Sequence, residues 1–382
     1  MRISMISAAL VASLVGYGST IALVLAAAQA VSATEAQTAS WVLAVSLAKA
    51  VGSAGLSTYA RVPVVLAWST PGAALIAATS GLSMAEAVGG FVVTGLLIAL
   101  TGVIRPLGRI VSLIPDGIAA GMLAGVLLPF CLKGTEAAQA LGWLCLPMLA
   151  VFVLVRLRNP ALAVLAALAT GIATAYSLGP SVLPTLTLPW PALTFIAPSF
   201  RADVLIGLAL PLYLVTMASQ NLPGFATIRA AGFEPPVRPA LIATGSISAV
   251  AGLFGAHTVS MAAITAAICL GDDVHPDRRE RWKVGLVYAA CWASLGLLSP
   301  VILPLLQSLP AEVMTLLVAL ALLGPLTGAL TGAYTPPTTR FAATITLAVT
   351  ASGIGLLGIG AAFWGLVAGL VVFGLEAFAR RV

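Results

Sequence analysis

Apolar runs of about twenty residues follow one another along nearly the whole chain, from Ile6 to Ala379, separated by short gaps that hold most of the charge. A helix needs roughly 20 apolar residues to cross a bilayer. Only 18 Lys and Arg and 12 Asp and Glu occur in 382 residues, whereas soluble domains carry about 25% charged residues. That excludes a soluble enzyme, a nucleic-acid-binding protein and a disordered chain. The net charge of +6 sits in the gaps, where it acts as an orientation signal. Cys131, Cys145, Cys269 and Cys291 lack metal or disulfide spacing and read as small buried hydrophobes. The fold class is an all-α polytopic membrane protein, with no cofactor or metal site and no enzymatic constellation.

The first apolar run imitates a secretory signal, but it continues to Val31, beyond the roughly 7–15 residues of a signal core. It reads as an uncleaved first span. Hydropathy places segments at 6–30, 35–57, 62–80, 83–103, 113–132, 139–157 and 160–178. A second set falls at 202–228, 237–254, 255–270, 281–307, 311–330, 340–357 and 359–379. Residues 1–178 thus form one seven-segment repeat and 201–382 another. Residues 179–200, with Pro180, Pro184, Pro189, Pro191 and Pro198, are too proline-dense for a helix and form the link. With the N-terminus cytoplasmic, fifteen Lys and Arg, from Arg2, Arg61, Arg105 and Arg109 to Arg380 and Arg381, fall on the cytoplasmic side. Lys133 and Arg201 alone fall on the other. This bias predicts a multi-pass protein of the bacterial inner membrane with both termini cytoplasmic.

Two segments are interrupted. In the first, a β-like run from Val62 ends at Ser69-Thr70-Pro71-Gly72 and a short apolar helix follows. In the second, Gly255-Ala-His-Thr-Val-Ser260 precedes a short Ala/Ile helix. Each is third in its set of seven, and seven is odd, so the second set enters the membrane from the opposite side as an inverted repeat. Paired interrupted segments at matching positions point to a transporter's binding site. A half-helix starting in mid-membrane aims unpaired N–H groups and a positive dipole end inward, which suits an anion. Ser69 or Thr70 can cap, Pro71 suits the first turn, and Gly72-Ala73 lets a ligand approach; an ordinary packed kink is the bland alternative. His257 is the titratable group beside the second break; the alternative is a neutral histidine bonded to a carbonyl. Ser219, Gln220 and Asn221 supply hydroxyl and amide groups, as ligands or as glue between helices. Tyr17, between two glycines, flanks a ligand or simply packs. Lys49 is expected to snorkel outward, with a counter-ion role as the alternative. No acid lies beside the breaks, so a proton-coupled carrier must protonate His257 or the substrate.

Three motifs, Ala67-Trp-Ser-Thr-Pro-Gly-Ala-Ala-Leu75, Ala218-Ser-Gln-Asn-Leu-Pro-Gly224 and His257-Thr-Val-Ser-Met-Ala-Ala-Ile-Thr-Ala-Ala-Ile-Cys269, resemble the signatures of the BenE family of bacterial benzoate:proton symporters, in spacing as well as sequence. That family is similar in architecture to uracil permease, the nucleobase–ascorbate transporters and the sulfate-type anion exchangers. The resemblance implies a core domain (about 1–104 and 201–308) moving against a gate domain (about 105–178 and 309–382), with substrate between the broken segments. Homodimers are common in that fold. The permease's substrate-binding acids align with His257 and with Ser219 or Gln220, a departure that argues against a nucleobase and for an anion.

The expected function is secondary active import of benzoate or a similar aromatic carboxylate, coupled to protons by alternating access. The carboxylate is expected near Gly72-Ala73 and Val259-Ser260, with Thr70, Gln220, Asn221 and Thr258 as donors, Tyr17, Ser69 and Ser219 nearby, and His257 carrying the proton. Alternatives are a carrier of this fold for another anion or a nucleobase, and an uncoupled anion channel.

Overall fold

A computed structural model describes residues 2–104, 114–179, 181–184, 190–357 and 359–379. Arg105, Arg109, Pro180, Pro189, Arg380 and Arg381, and much of the expected core–gate junction after residue 104, lie outside the described residues. The described residues are mostly helical. The helices of the first half are α1 (Ile3–Gly18), α2 (Ile21–Ala30), α3 (Glu35–Ala60), α4 (Thr70–Ala77), α5 (Met84–Val103), α6 (Asp116–Ala140), α7 (Gly142–Arg158) and α8 (Ala163–Ser177). The second half holds α9 (Ala202–Ala230), α10 (Val237–Gly252), α11 (Ile264–Leu270), α12 (Val284–Leu297), α13 (Ser299–Gln307), α14 (Ala311–Tyr334), α15 (Arg340–Ala351) and α16 (Ala361–Ala379). Among the described residues seven helices are long and apolar enough to cross a membrane, or eight if α12 and α13, bent by 60°, make one span.

Three expectations need correction. The first span is not one helix: it breaks at Ser19-Thr20 between α1 and α2. The 281–307 segment is bent between α12 and α13, where Pro300 opens the second helix. The 179–200 stretch is more than a link. Its last residues lie against the bundle, with the N–H groups of Thr194, Ile196 and Ser199 donating to Ser40 Oγ, Leu253 O and Ala85 O. Arg201 then ties Asp203 and Glu86 together at 2.6 Å each; the two carboxylates hold its guanidinium proton still more firmly than usual.

Helix α9 contains two π-helical turns, Leu205–Ala209 and Met217–Asn221. Each is followed two residues on by a proline, Pro211 and Pro223. A proline has no N–H for the carbonyl one turn back, and the wider register absorbs that defect. The bundle packs with α5 against α10, α3 against α12 and α6 against α14. At the α5–α10 contact a Cβ on Gly95 would lie 2.5 Å from Ala249 N and 2.8 Å from Gly245 O. The two backbones therefore touch, as small residues allow in membrane helices.

The broken elements meet. Strand β1 (Leu66–Trp68) pairs antiparallel with β2 (Val259–Met261), in the register Leu66 to Met261, Ala67 to Ser260 and Trp68 to Val259. Non-helical backbone at membrane depth survives only where every polar group finds a partner in protein. Small side chains complete the set: Ser57 Oγ and Ser53 Oγ accept from Val64 N and Leu66 N, both at 3.0 Å. Ser248 Oγ accepts from Val259 N at 2.9 Å, and Tyr288 Oη donates to Leu66 O at 2.9 Å.

Candidate functional site

A cavity of about 950 Å³ lies beside the strand pair. One wall comes from Gly16, Ser19 and Thr20 at the α1–α2 break, Trp68, Thr70 and Pro71 at the start of α4, Ser219 and Gln220 of α9, and Ala263, Ile264 and Thr265 opening α11. The facing wall is apolar: Ala119, Ala120 and Leu123 of α6, Phe152 of α7, Val164 of α8, and Leu320, Ala321, Gly324 and Gly328 of α14. It reaches the surface where exposed Asp116 begins α6 and exposed Arg156 and Asn159 end α7. An apolar chamber with a few convergent polar groups is the usual form of a small-molecule site.

Local chemistry explains the polar wall. Ser69 caps α4 by accepting from Gly72 N at 3.1 Å, and Pro71 occupies the first turn. Thr70 Oγ1 lies 3.3 Å from Thr20 Oγ1, joining the two breaks. The π turn in α9 turns half-buried Ser219 and Gln220 toward the cavity.

Of the expected site residues, Thr70, Ser219 and Gln220 line this cavity. Ser69, Gly72, Ala73, Asn221, Thr258, Val259 and Ser260 are buried behind it and hold the broken elements together. Thr216 Oγ1 bridges Ser69 Oγ and Thr258 Oγ1, each at 3.0 Å. Asn221 Oδ1 accepts from Met261 N at 3.0 Å, and Ser260 Oγ donates to Ala67 O. The carboxylate position expected near Val259-Ser260 is corrected, because those residues are strand and α11 starts only at Ile264. His257 is fully buried and off the cavity wall. Its Nδ1 accepts the Trp41 indole N–H at 2.9 Å, which puts the ring proton of the neutral form on Nε2. Nε2 has no partner. Tyr17 is buried against Trp68 and Trp292, with ring centroids 5.8 and 5.9 Å away.

Lys49 does not snorkel. It is 1% exposed, lines the cavity, and places Nζ 2.7 Å from the Trp292 ring centroid and 4.5 Å from that of Trp68. Helix α3 carries it at mid-length, and α12 roofs it. The apolar wall was also beyond the sequence reading, because which face of α6 or α14 turns inward depends on packing. Gly324 and Gly328, one helical turn apart on α14 with open space beside them, are the signal that marks it.

A sequence model of one protein family, described as BenE, benzoate membrane transport protein, matches residues 1–375. The chain is 41% identical over 367 residues to "Inner membrane protein YdcO" of Escherichia coli K12, covering 96% of this chain and 94% of that protein. It is 32% identical over 367 residues to "Benzoate membrane transport protein" of Acinetobacter baylyi, covering 96% and 93%. In fold it is similar to the transmembrane domain of the cyanobacterial bicarbonate transporter BicA, with a TM-score of 0.59, 15% identity, and coverage of 99% of this chain and 98% of that one. It is also similar to SLC26A9, with a TM-score of 0.63, 14% identity, and coverage of 98% and 66%. These matches run the length of the chain, over apolar helices suited to a bilayer. The chain therefore belongs to the BenE benzoate membrane transport family, a family of multi-pass membrane transporters rather than enzymes.

Proposed function

We propose that the protein imports benzoate or a similar aromatic carboxylate across the bacterial inner membrane, coupled to protons by alternating access. The observation that carries this reading is the chamber itself, with an apolar wall for a ring facing hydroxyl, amide and ammonium groups for a carboxylate. A relative named as a benzoate transport protein and another named as an inner membrane protein support the substrate and the location. We read the fold as fourteen segments in two inverted sets of seven. The matched contacts of α5 with α10 and of α3 with α12, and the antiparallel strand pair between third and tenth segments, support that reading. The polar wall belongs to the core (about 1–104 and 201–308) and the apolar wall to the gate (about 105–178 and 309–382). With the N-terminus cytoplasmic, the chamber opens inward at Asp116 and Arg156. Pairing as a homodimer is part of the same proposal.

The test is radiolabelled benzoate uptake into proteoliposomes with and without an inward proton gradient, counted above protein-free liposomes because benzoic acid crosses bilayers unaided. Saturable, gradient-driven accumulation supports the reading. Flux that neither saturates nor responds to the gradient means a channel. His257 is proposed to carry the proton: its neutral form already holds Nε2–H, so the added proton goes to Nδ1, displacing the hydrogen bond from Trp41 Nε1. For one proton per substrate, one pH unit supplies about tenfold accumulation. His257→Gln should remove that accumulation while keeping benzoate binding; a gradient response equal to wild type would assign the proton elsewhere.

A further inference from the structure

Two cations are buried among the described residues, and they are treated differently. Arg281 meets Asp272 at 2.6 Å. Lys49, more deeply buried, meets no carboxylate. Its ammonium is held by aromatic faces instead. Trp68 and Trp292 contact it and stand edge to face 5.2 Å apart, with Tyr17 against both and Tyr288 at 6.1 Å from Trp292. The ring quadrupoles attract the cation but do not neutralise it. An uncompensated charge at membrane depth is costly, and such groups are kept for function.

The same cluster has more donors than acceptors. Tyr17 Oη and Trp292 Nε1 are buried without a partner, and Lys49 Nζ rests on the ring faces of Trp292 and Trp68. Buried donors in a native fold are ordinarily satisfied. Two unsatisfied donors and an ammonium with no carboxylate, beside a chamber that Lys49 and Trp68 line, lack an anion.

We propose that Lys49 is the anion-binding residue of the chamber: without ligand its ammonium rests on Trp292, and a carboxylate entering the chamber pairs with it. The rings store the charge between cycles, so the site stays intact when empty. Recognition is of charge, since an uncharged isostere leaves the ammonium unpaired. This rests on the transport reading for the identity of the anion, though not for its sign.

The experiment is calorimetric binding of benzoate and of benzamide, its neutral isostere, to the purified full-length protein, with nitrate and bicarbonate as non-aromatic anions. Wild type should prefer benzoate by about 30-fold or more, the usual cost of removing one partner from a buried charge pair. Lys49→Met should bring the two ligands within about threefold, a difference under 1 kcal/mol, with benzamide affinity retained as the sign of an intact chamber. Lys49→Gln, which keeps a polar head, should do the same and serves if the Met variant is not monodisperse. A variant that still prefers benzoate as wild type does overturns the proposal. If wild type binds neither aromatic ligand but binds nitrate or bicarbonate through Lys49, the benzoate reading falls and the anion site stands. Binding of no anion at all overturns both.

Discussion

Gly328→Phe should abolish benzoate uptake while leaving the protein as stable as wild type. A Cβ at Gly328 or Gly324 meets no atom within 4 Å, because both face the chamber from α14. The first atom of a larger side chain there clashes with nothing, and exchanging a helix-interior glycine for Phe changes helix propensity by only about 0.5 kcal/mol or less. The ring instead fills chamber space that, on the proposed function, the substrate ring needs. Uptake should fall at least tenfold, which corresponds to about 1.4 kcal/mol, at an unchanged melting temperature in detergent. Gly324→Phe should behave alike. Normal uptake by a folded Gly328→Phe variant would show that the substrate does not pass along α14.

Gly245→Ala should have the opposite phenotype, loss of the folded protein itself. A Cβ there would lie 2.6 Å from Gly95 O and closer still to Ala99 N. Those atoms are backbone on both sides, so no side chain can rotate away, and α5 and α10 must part along their length. Membrane helices associate through close packing and interhelical hydrogen bonds rather than a hydrophobic drive. The strain of overpacking, about 1–3 kcal/mol and occasionally more, therefore comes with the loss of packing along the whole contact. The expected result is a lower melting temperature for Gly245→Ala and no monodisperse Gly245→Val; an unchanged melting temperature for the Ala variant would sink the argument. Gly324→Ala, into open space, is the matched control.

The contrast between these glycines shows what was legible in the sequence. Composition and hydropathy located the helices, and the Ser-Thr-Pro-Gly break located α4, because these signals are local. The position of Lys49 was misread, because a lysine within a span reaches the surface unless neighbouring elements enclose it, and the enclosure comes from Trp292 on a distant helix. The π turns of α9 left only their prolines as a trace. The start of α11 was placed too early because Val259–Met261 pairs with a strand from the other half, and a three-residue strand has no periodicity to read. His257 was singled out as the titratable group beside the second break; it is buried there, with its side chain toward Trp41 rather than the chamber.

That strand pair also constrains how the protein is made. Leu66 finds its partner only when Met261 has been synthesised. At about 5–20 residues per second, this takes on the order of 10 to 40 seconds. Throughout that interval the N-terminal half sits at the membrane with the pairing edge of β1 unmet, and bare strand backbone cannot face lipid. The N-terminal half is thus not an independently maturing unit. Either it is held by the insertion machinery, or Leu66–Trp68 stays outside the hydrocarbon until its counterpart arrives. A chain truncated after residue 178 should be recognised as unfinished and degraded, because the final fold of residue 66 waits on the birth of residue 261.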